Sequence, residues 1–410
     1  MTTIEVSGVD VDLLADERLR DPYTHYSHMR EEHPVFWSER YRGWFVHRHE
    51  DVMAALLDDR FSSDRISPAL ARQTPEQQQE RGTTFDVLKH WMVFLDPPAH
   101  TRIRRLVMPA FAPKAVAAMR PVVEQAVDEA IAAVRDRETF DLVRDLAYPV
   151  PAVVIADLMG IPPTDRDLFK QWSDDILVLV FGGHSTPDRR ERAQAGLESL
   201  TAYLREVIAR LRRHPEDNVV CRLLEAEVDG ARLSEDEIVA TCALLVFGGH
   251  ETTTNLIGNG VRALAHHPDQ RRRLVDDPAL VPSAVEEFLR FDGPSKLEPR
   301  LVREDLEIRG ERLLAGQNVF LVQAAANRDP RVFTDPDTLD VGRRPNRHVG
   351  FGFGLHHCLG NFLARMEVTV AMTRILRDLP ELVPAVPDAE VAWNPTLLSR
   401  GMASLPVRRA

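Results

Sequence analysis

The stretch Phe351-Gly352-Phe353-Gly354-Leu355-His356-His357-Cys358-Leu359-Gly360 concentrates the residue types that do chemistry. Two glycines sit in a short aromatic loop, and a histidine pair, a cysteine and a third glycine follow. Asn361-Phe362-Leu363-Ala364-Arg365-Met366-Glu367 then reads as a helix. Cys358 therefore lies where a loop enters a helix N-terminus, whose unpaired N–H groups and positive dipole end favour a thiolate. Glycines let the backbone approach a flat ligand without a side chain in the way. A lone thiolate of this kind can serve as an axial ligand to haem iron, feeding it electron density that favours O–O cleavage. Two plainer readings compete. Cys358 can be a buried structural cysteine, or His356, His357 and Cys358 can belong to a zinc site. A structural zinc needs four ligands, and no second Cys/His pair of suitable spacing appears.

A long element must face that loop if a ligand is to be held between two walls. Ser234 and Glu237 have the spacing of a capping box, and helical patterning runs from there to His267, before Pro268. At about 1.5 Å per residue this spans roughly 50 Å. Inside it stands Gly248-Gly249-His250-Glu251-Thr252-Thr253-Thr254 after the apolar run Ala243–Phe247. A glycine within a helix costs about 1 kcal/mol relative to alanine, so a pair needs a reason. Either the pair packs against another helix, or it makes room for a bulky ligand, with a carboxylate and hydroxyls beside the gap able to pass protons.

The chain has 410 residues, 44% hydrophobic and 28% charged, enough for a sizeable core. Cys221, Cys242 and Cys358 are too few for a disulfide framework, which fits a reducing compartment. A net charge of −12 argues against general nucleic-acid binding. No apolar run reaches the ~18 residues of a membrane span, and the first residues carry no signal-peptide pattern, so a cytoplasmic protein without a membrane anchor is expected.

Helical patterns are expected over 16–33, 51–58, 115–145, 150–158, 164–180 and 188–214, with a hairpin from Val35–Trp37 and Gly43–Val46. Residues 62–90 read as a long polar loop with one short helix, of the kind that forms lids. Phe181–Pro187, with His184, is a break between helices. Leu95-Asp96-Pro97-Pro98-Ala99-His100-Thr101-Arg102-Ile103-Arg104 opens a helix on which His100 and Arg104 share a face. Taken alone, that is a solvated basic face. Glu287 and Arg290 are three apart on another helix, alone a routine pair.

Together these motifs resemble the cytochrome P-450 family of haem-thiolate monooxygenases, in order and over essentially the whole chain. The cysteine loop has the family's Phe-Gly-x-Gly-x-His-x-Cys-x-Gly pattern. Asp96 to Arg104 has its Asp-Pro-Pro-x-His-x-x-x-Arg, and Gly248 to Thr252 its [Ala/Gly]-Gly-x-[Asp/Glu]-Thr. Glu287 to Arg290 has its Glu-x-x-Arg, and Arg300 stands where the family keeps a propionate-binding arginine.

The resemblance implies a mainly α fold with small β-sheets, one domain over 1–410, and haem b between a long distal helix and a proximal cysteine loop. It implies Cys358 as the metal ligand, and His100, Arg104, Arg300 and His356 at the propionates. Gly248, Phe351 and Gly360 would lie against the macrocycle. Thr252 and Glu251 would hydrogen-bond bound oxygen and relay protons. Glu287, Arg290 and Arg343 would form a structural charge cluster. The implied reaction is insertion of one atom of O2 into an organic substrate, by hydroxylation or epoxidation, in natural-product tailoring. Electrons would come from NAD(P)H through a ferredoxin and its reductase, docked near Arg105, Arg343, Arg344, Arg347 and Arg365 on a monomer. The same site can instead run oxidative coupling or desaturation, or a haem-binding protein without turnover can carry it. Lys296, on the alternating face of Glu298 and Arg300, is a candidate contact for an acidic substrate, unless it pairs with Glu298.

Overall fold

Ser234 starts the longest helix among the described residues, Glu235–His266, and its capping box is complete. The Ser234 hydroxyl accepts from the Glu237 N–H at 3.2 Å, and the Glu237 carboxylate accepts from the Ser234 N–H at 2.9 Å. This distal helix packs against Pro149–Leu158, Arg189–Arg213, Val281–Phe291 and Asn361–Asp378. Their apolar faces form one large buried core that includes Ile155, Leu197, Leu256, Phe288 and Met372. The computed structural model describes residues 9–74, 84–165, 168, 171, 172, 175, 176 and 188–409. The break at 181–187 with His184, most of the helix expected over 164–180, and residues 75–83 of the polar loop lie outside the described residues.

A five-stranded sheet flanks the helices, ordered Val35–Ser38, Gly43–Val46, Asn318–Leu321, Glu298–Val302 and Phe61–Ser62. The first two strands are the expected hairpin, with Trp37 opposite Trp44. Asn318–Leu321 runs parallel to Gly43–Val46 and antiparallel to Glu298–Val302, which sets Val319 opposite Arg300. The sheet thus fixes Glu298 and Arg300 at the edge of the helical core. Mainly helical structure with small sheets is what the sequence led us to expect.

Three expectations need adjustment. The opening helix is two helices, Asp16–Arg20 and Tyr23–Glu32, because Pro22 between them has no N–H to donate. The helix expected over 115–145 divides into Pro113–Ala118 and Arg120–Val134. It then gives way to strand Thr139–Asp141, which pairs with Pro406–Arg409. The 62–90 loop carries the helix Ile66–Ala71 and a second helical turn over 84–88.

Candidate active site

Cys358 is held by its own loop. Its N–H donates to the Phe351 carbonyl at 2.8 Å, and the Gly352 N–H to the Val349 carbonyl at 2.9 Å. Gly352 and Gly354 have φ of 67° and 69°, the left-handed region that glycine enters without strain. A Cβ on Gly354 would also sit 2.9 Å from the Leu56 carbonyl. Asn361 donates to the Cys358 carbonyl at 2.8 Å. Arg365 stacks over Phe351 at 4.5 Å while bonding Asn361 and Glu286, each at 2.7 Å. Behind the loop, the buried Glu287 carboxylate accepts from Arg290 at 2.7 Å and Arg343 at 3.1 Å. This is the expected charge cluster.

Burial pushes the Cys358 thiol above its usual range; the Gly360 N–H and the guanidiniums of Arg104 and Arg365 pull the other way. The helix-end donors therefore do not make a thiolate by themselves. A metal ion on the sulfur would.

His100 and His356 face each other with ring centroids 4.3 Å apart. His100 is fully buried, and neither ring nitrogen has a hydrogen-bond partner. Burial, then the nearby Arg104, pushes His100 down to about 4; burial, then Arg300, pushes His356 down to about 3. Arg104 donates to the His357 carbonyl at 2.6 Å. Arg300 pairs with Glu298, whose other oxygen accepts from Gln323 at 2.9 Å. Of the four residues expected at the carboxylates, Arg104 and His356 line the cavity, and His100 and Arg300 stand close to them.

That cavity measures about 320 Å³, within the range of small-molecule sites. Phe351, His356, Cys358 and Gly360 line one side, and Gly248, Gly249 and Thr252 the other. The two helix glycines serve different ends. A Cβ on Gly249 would stand 2.5 Å from Ile155 Cδ1, so it permits close helix packing. A Cβ on Gly248 or on Gly360 would meet nothing within 4 Å. The Thr252 hydroxyl donates to the Gly248 carbonyl at 3.0 Å. Glu251 turns away from the cavity and accepts from Ser399 at 3.0 Å and Asn255 at 3.3 Å.

Lys296 does not line the cavity and does not pair with Glu298. It is 4% exposed and its Nζ donates to the Thr396 carbonyl. Burial, then Arg400, pushes it down to about 7. Its backbone is already paired, with the N–H donating to the Leu398 carbonyl at 2.8 Å and its own carbonyl accepting from Ala324 at 3.0 Å, but the side chain meets Thr396 rather than the cavity.

Two residues of the site went unnoticed in the sequence. Ser399 reaches Glu251 from 148 positions away, a contact with no local signal. Glu367 lines the cavity with Oε2 buried and unpartnered, and burial pushes it up to about 8. Its place nine positions after Cys358, on the helix that follows the loop, was a usable signal.

A haem suits these residues. The open Cβ directions at Gly248 and Gly360 leave space for a flat ring, and the orphaned nitrogens of His100 call for acceptors or donors that the protein does not supply. A cysteine sulfur and a threonine hydroxyl lining one cavity, with histidines and arginines nearby, would supply the donors such a group needs.

The family model for Cytochrome P450 matches residues 13–385. The chain is 39% identical to Cytochrome P450 107B1 of Saccharopolyspora erythraea, over 100% of this chain and 99% of that one. It is 38% identical to the mycinamicin IV hydroxylase/epoxidase of Micromonospora griseorubida, covering 89% of each. Among solved structures, P450BioI in complex with hexadec-9Z-enoic acid ligated acyl carrier protein superposes with a TM-score of 0.88 at 33% identity, covering 96% of this chain and 99% of that one. With the cysteine loop and the glycine-opened helix facing each other across one cavity, these matches settle the point: the chain belongs to the cytochrome P450 family and is a haem-iron monooxygenase.

Proposed function

We propose that the protein hydroxylates or epoxidises an apolar secondary metabolite, in the manner of a natural-product tailoring enzyme. The observation that carries this reading is the single cavity bounded by Cys358 on one side and Thr252 on the other. Its remaining lining is largely apolar, with Met92, Val93, Phe111, Ile155, Leu244 and Leu245. Such a wall binds by burial rather than by polar readout. A relative named for mycinamicin oxidation supports the same substrate class.

Bound haem supplies the oxygen chemistry, with Cys358 as its thiolate ligand. His100, Arg104, Arg300 and His356 hold its carboxylates; Gly248, Phe351 and Gly360 let the ring lie flat. The other residues manage protons and water. The Thr252 hydroxyl, which donates to the Gly248 carbonyl and lines the cavity, would be a proton donor to a ligand there. Glu251, held from behind by Ser399 and Asn255, resupplies its proton. Leu244, Leu245 and Ile155 present apolar side chains to the cavity and would limit bulk water there.

Electrons come from NAD(P)H through an external ferredoxin and its reductase. Phe353, Leu355 and Phe362 are exposed apolar side chains on and beside the cysteine loop. Arg344 and Arg347 are exposed close by and make no ion pair among the described residues. Apolar contact with flanking positive charge suits an acidic electron carrier. Of the other basic residues expected there, Arg105 pairs with Asp229, Arg343 with Glu287 and Arg365 with Glu286, so they contribute less. We take the protein as a cytoplasmic monomer of one domain over 1–410. Among the described residues no single helix is long and apolar enough to cross a membrane.

Turnover under ¹⁸O2 with NADPH, a ferredoxin and its reductase tests the reading. A macrolide-type product carrying one ¹⁸O atom per molecule is expected. A product that has lost hydrogens and gained no ¹⁸O would replace it with desaturation or coupling.

A further inference from the structure

Among the described residues Arg65 is a cation without an anion. Its Nε is buried with no hydrogen-bond partner, and among the described residues its guanidinium makes no ion pair. The group lies over the Phe94 ring at 4.9 Å. Phe94 stacks on Trp91 with centroids 6.0 Å apart, and Met92 and Val93 between them line the haem cavity. Arg65 is close enough to Arg300 and Glu298 for both charges to act on it. Its position is fixed in advance. The Ser63 N–H donates to Asp96 at 2.9 Å, and Asp64 accepts the N–H groups of Ile66 and Ser67 at 3.1 and 2.8 Å.

A guanidinium in such a place is costly unless a carboxylate meets it. Glu298 does not fill that place: it bonds Arg300 and Gln323 and makes no ion pair with Arg65. Arg65, Arg104 and Arg300 cluster near one cavity edge; of the carboxylates whose charge is felt there, Glu298 bonds Arg300 and Gln323, and Asp96 bonds Ser62, Ser63 and Arg303, so among the described residues neither meets Arg65.

We propose that Arg65 is a carboxylate-binding residue at the edge of the haem cavity, acting beside Arg300. This rests on the haem reading above. The carboxylate belongs either to haem, which carries two, or to an acidic substrate whose chain runs along Met92 and Val93. The planar fork of arginine binds either one bidentately.

The holoenzyme and its Arg65→Gln and Arg65→Lys variants distinguish the sources. Two quantities are measured in each: the rate of haem transfer to apomyoglobin, and the ferric spin-state titration with a linear fourteen-carbon fatty acid and with its methyl ester. If haem supplies the carboxylate, Arg65→Gln releases haem on the order of tenfold faster, Arg65→Lys falls between, and acid and ester titrations stay in proportion. If the substrate supplies it, haem release is unchanged and the acid alone loses about tenfold in affinity. Unchanged haem release together with an unchanged acid-to-ester ratio in both variants overturns the proposal. A wild-type protein that takes up no haem would instead overturn the reading on which it rests. The lysine variant keeps the charge and decides the matter if the glutamine variant fails to fold.

Discussion

The two walls of the cavity are built in opposite ways. On the cysteine side nearly every polar contact is short in sequence or runs to one neighbouring helix: Cys358 to Phe351, Asn361 to Cys358, Arg365 to Glu286, Arg343 and Arg290 to Glu287. On the distal side the backbone is one uninterrupted helix, and its reactive side chains are steadied from far away. Glu251 is held by Ser399, and Ser399 in turn by the Thr396 hydroxyl at 3.1 Å. The first wall fixes an atom that must not move. The second leaves a hydroxyl, Thr252, attached only to a carbonyl of its own helix, from which it can turn toward a ligand. The lesson is that rigidity is placed at Cys358 and adjustability at Thr252.

The largest test of this contrast is on the rigid wall. Glu287→Ala leaves Arg290 and Arg343 as unpaired buried charges, and removing one partner of a buried pair costs about 3–5 kcal/mol. Denaturation of the purified variant should show that loss, or little folded protein should accumulate. A near-normal melting curve would mean that the cluster does not hold the loop.

Changes on the distal wall should spare the fold and affect the chemistry. For Thr252→Ala we expect NADPH consumption to continue while product per NADPH falls about tenfold or more, the scale of a lost positioned proton donor. Unchanged coupling would take Thr252 out of the proton path. Ser399→Ala removes one hydrogen bond from Glu251, a contribution of roughly 0.5–1.5 kcal/mol. Coupling should drop two- to several-fold, and Ser399→Thr should restore it. A loss of stability without a change in coupling would make Ser399 merely structural.

Lys296 gives the smallest effect and a sign that can be worked out. Its folded-state value of about 7 lies below the usual lysine value. The unfolded chain therefore binds the extra proton between about 7 and the usual lysine range, and stability from this group rises with pH across that window. Below about 7 the burial penalty is fully present. Lys296→Met should be relatively more stable than the wild type at pH 6, and the difference should shrink toward pH 10. Because Nζ faces the Thr396 carbonyl rather than the cavity, the acid-induced spin shift should not change. If it is abolished, Lys296 reaches the substrate after all.

What the sequence made legible follows the same division. The cysteine loop, the capping box at Ser234 and the Glu287–Arg290 pair are local patterns, and each appears in the structure where its spacing put it. The strand Thr139–Asp141 was hidden inside a helical pattern because its partner, Pro406–Arg409, lies at the other end of the chain. Ser399 and Arg65 escaped for the same reason, since an isolated serine or arginine carries no signal until the fold sets something beside it. Lys296 was misplaced because the Thr396 carbonyl that takes its Nζ lies 100 positions away in the chain. The double glycine at 248 and 249 left two explanations open: Gly249 shows the close helix packing, and a Cβ on Gly248 would meet open space.

The account depends most on Cys358 as the ligand that the rigid wall exists to hold. Absorption spectra of the reduced, carbon monoxide-bound wild type and Cys358→Ala, recorded side by side, address this directly. The wild type should give the red-shifted Soret band of thiolate ligation, and the variant should lack it entirely. A variant that keeps that band would contradict the assignment and with it the division between the two walls.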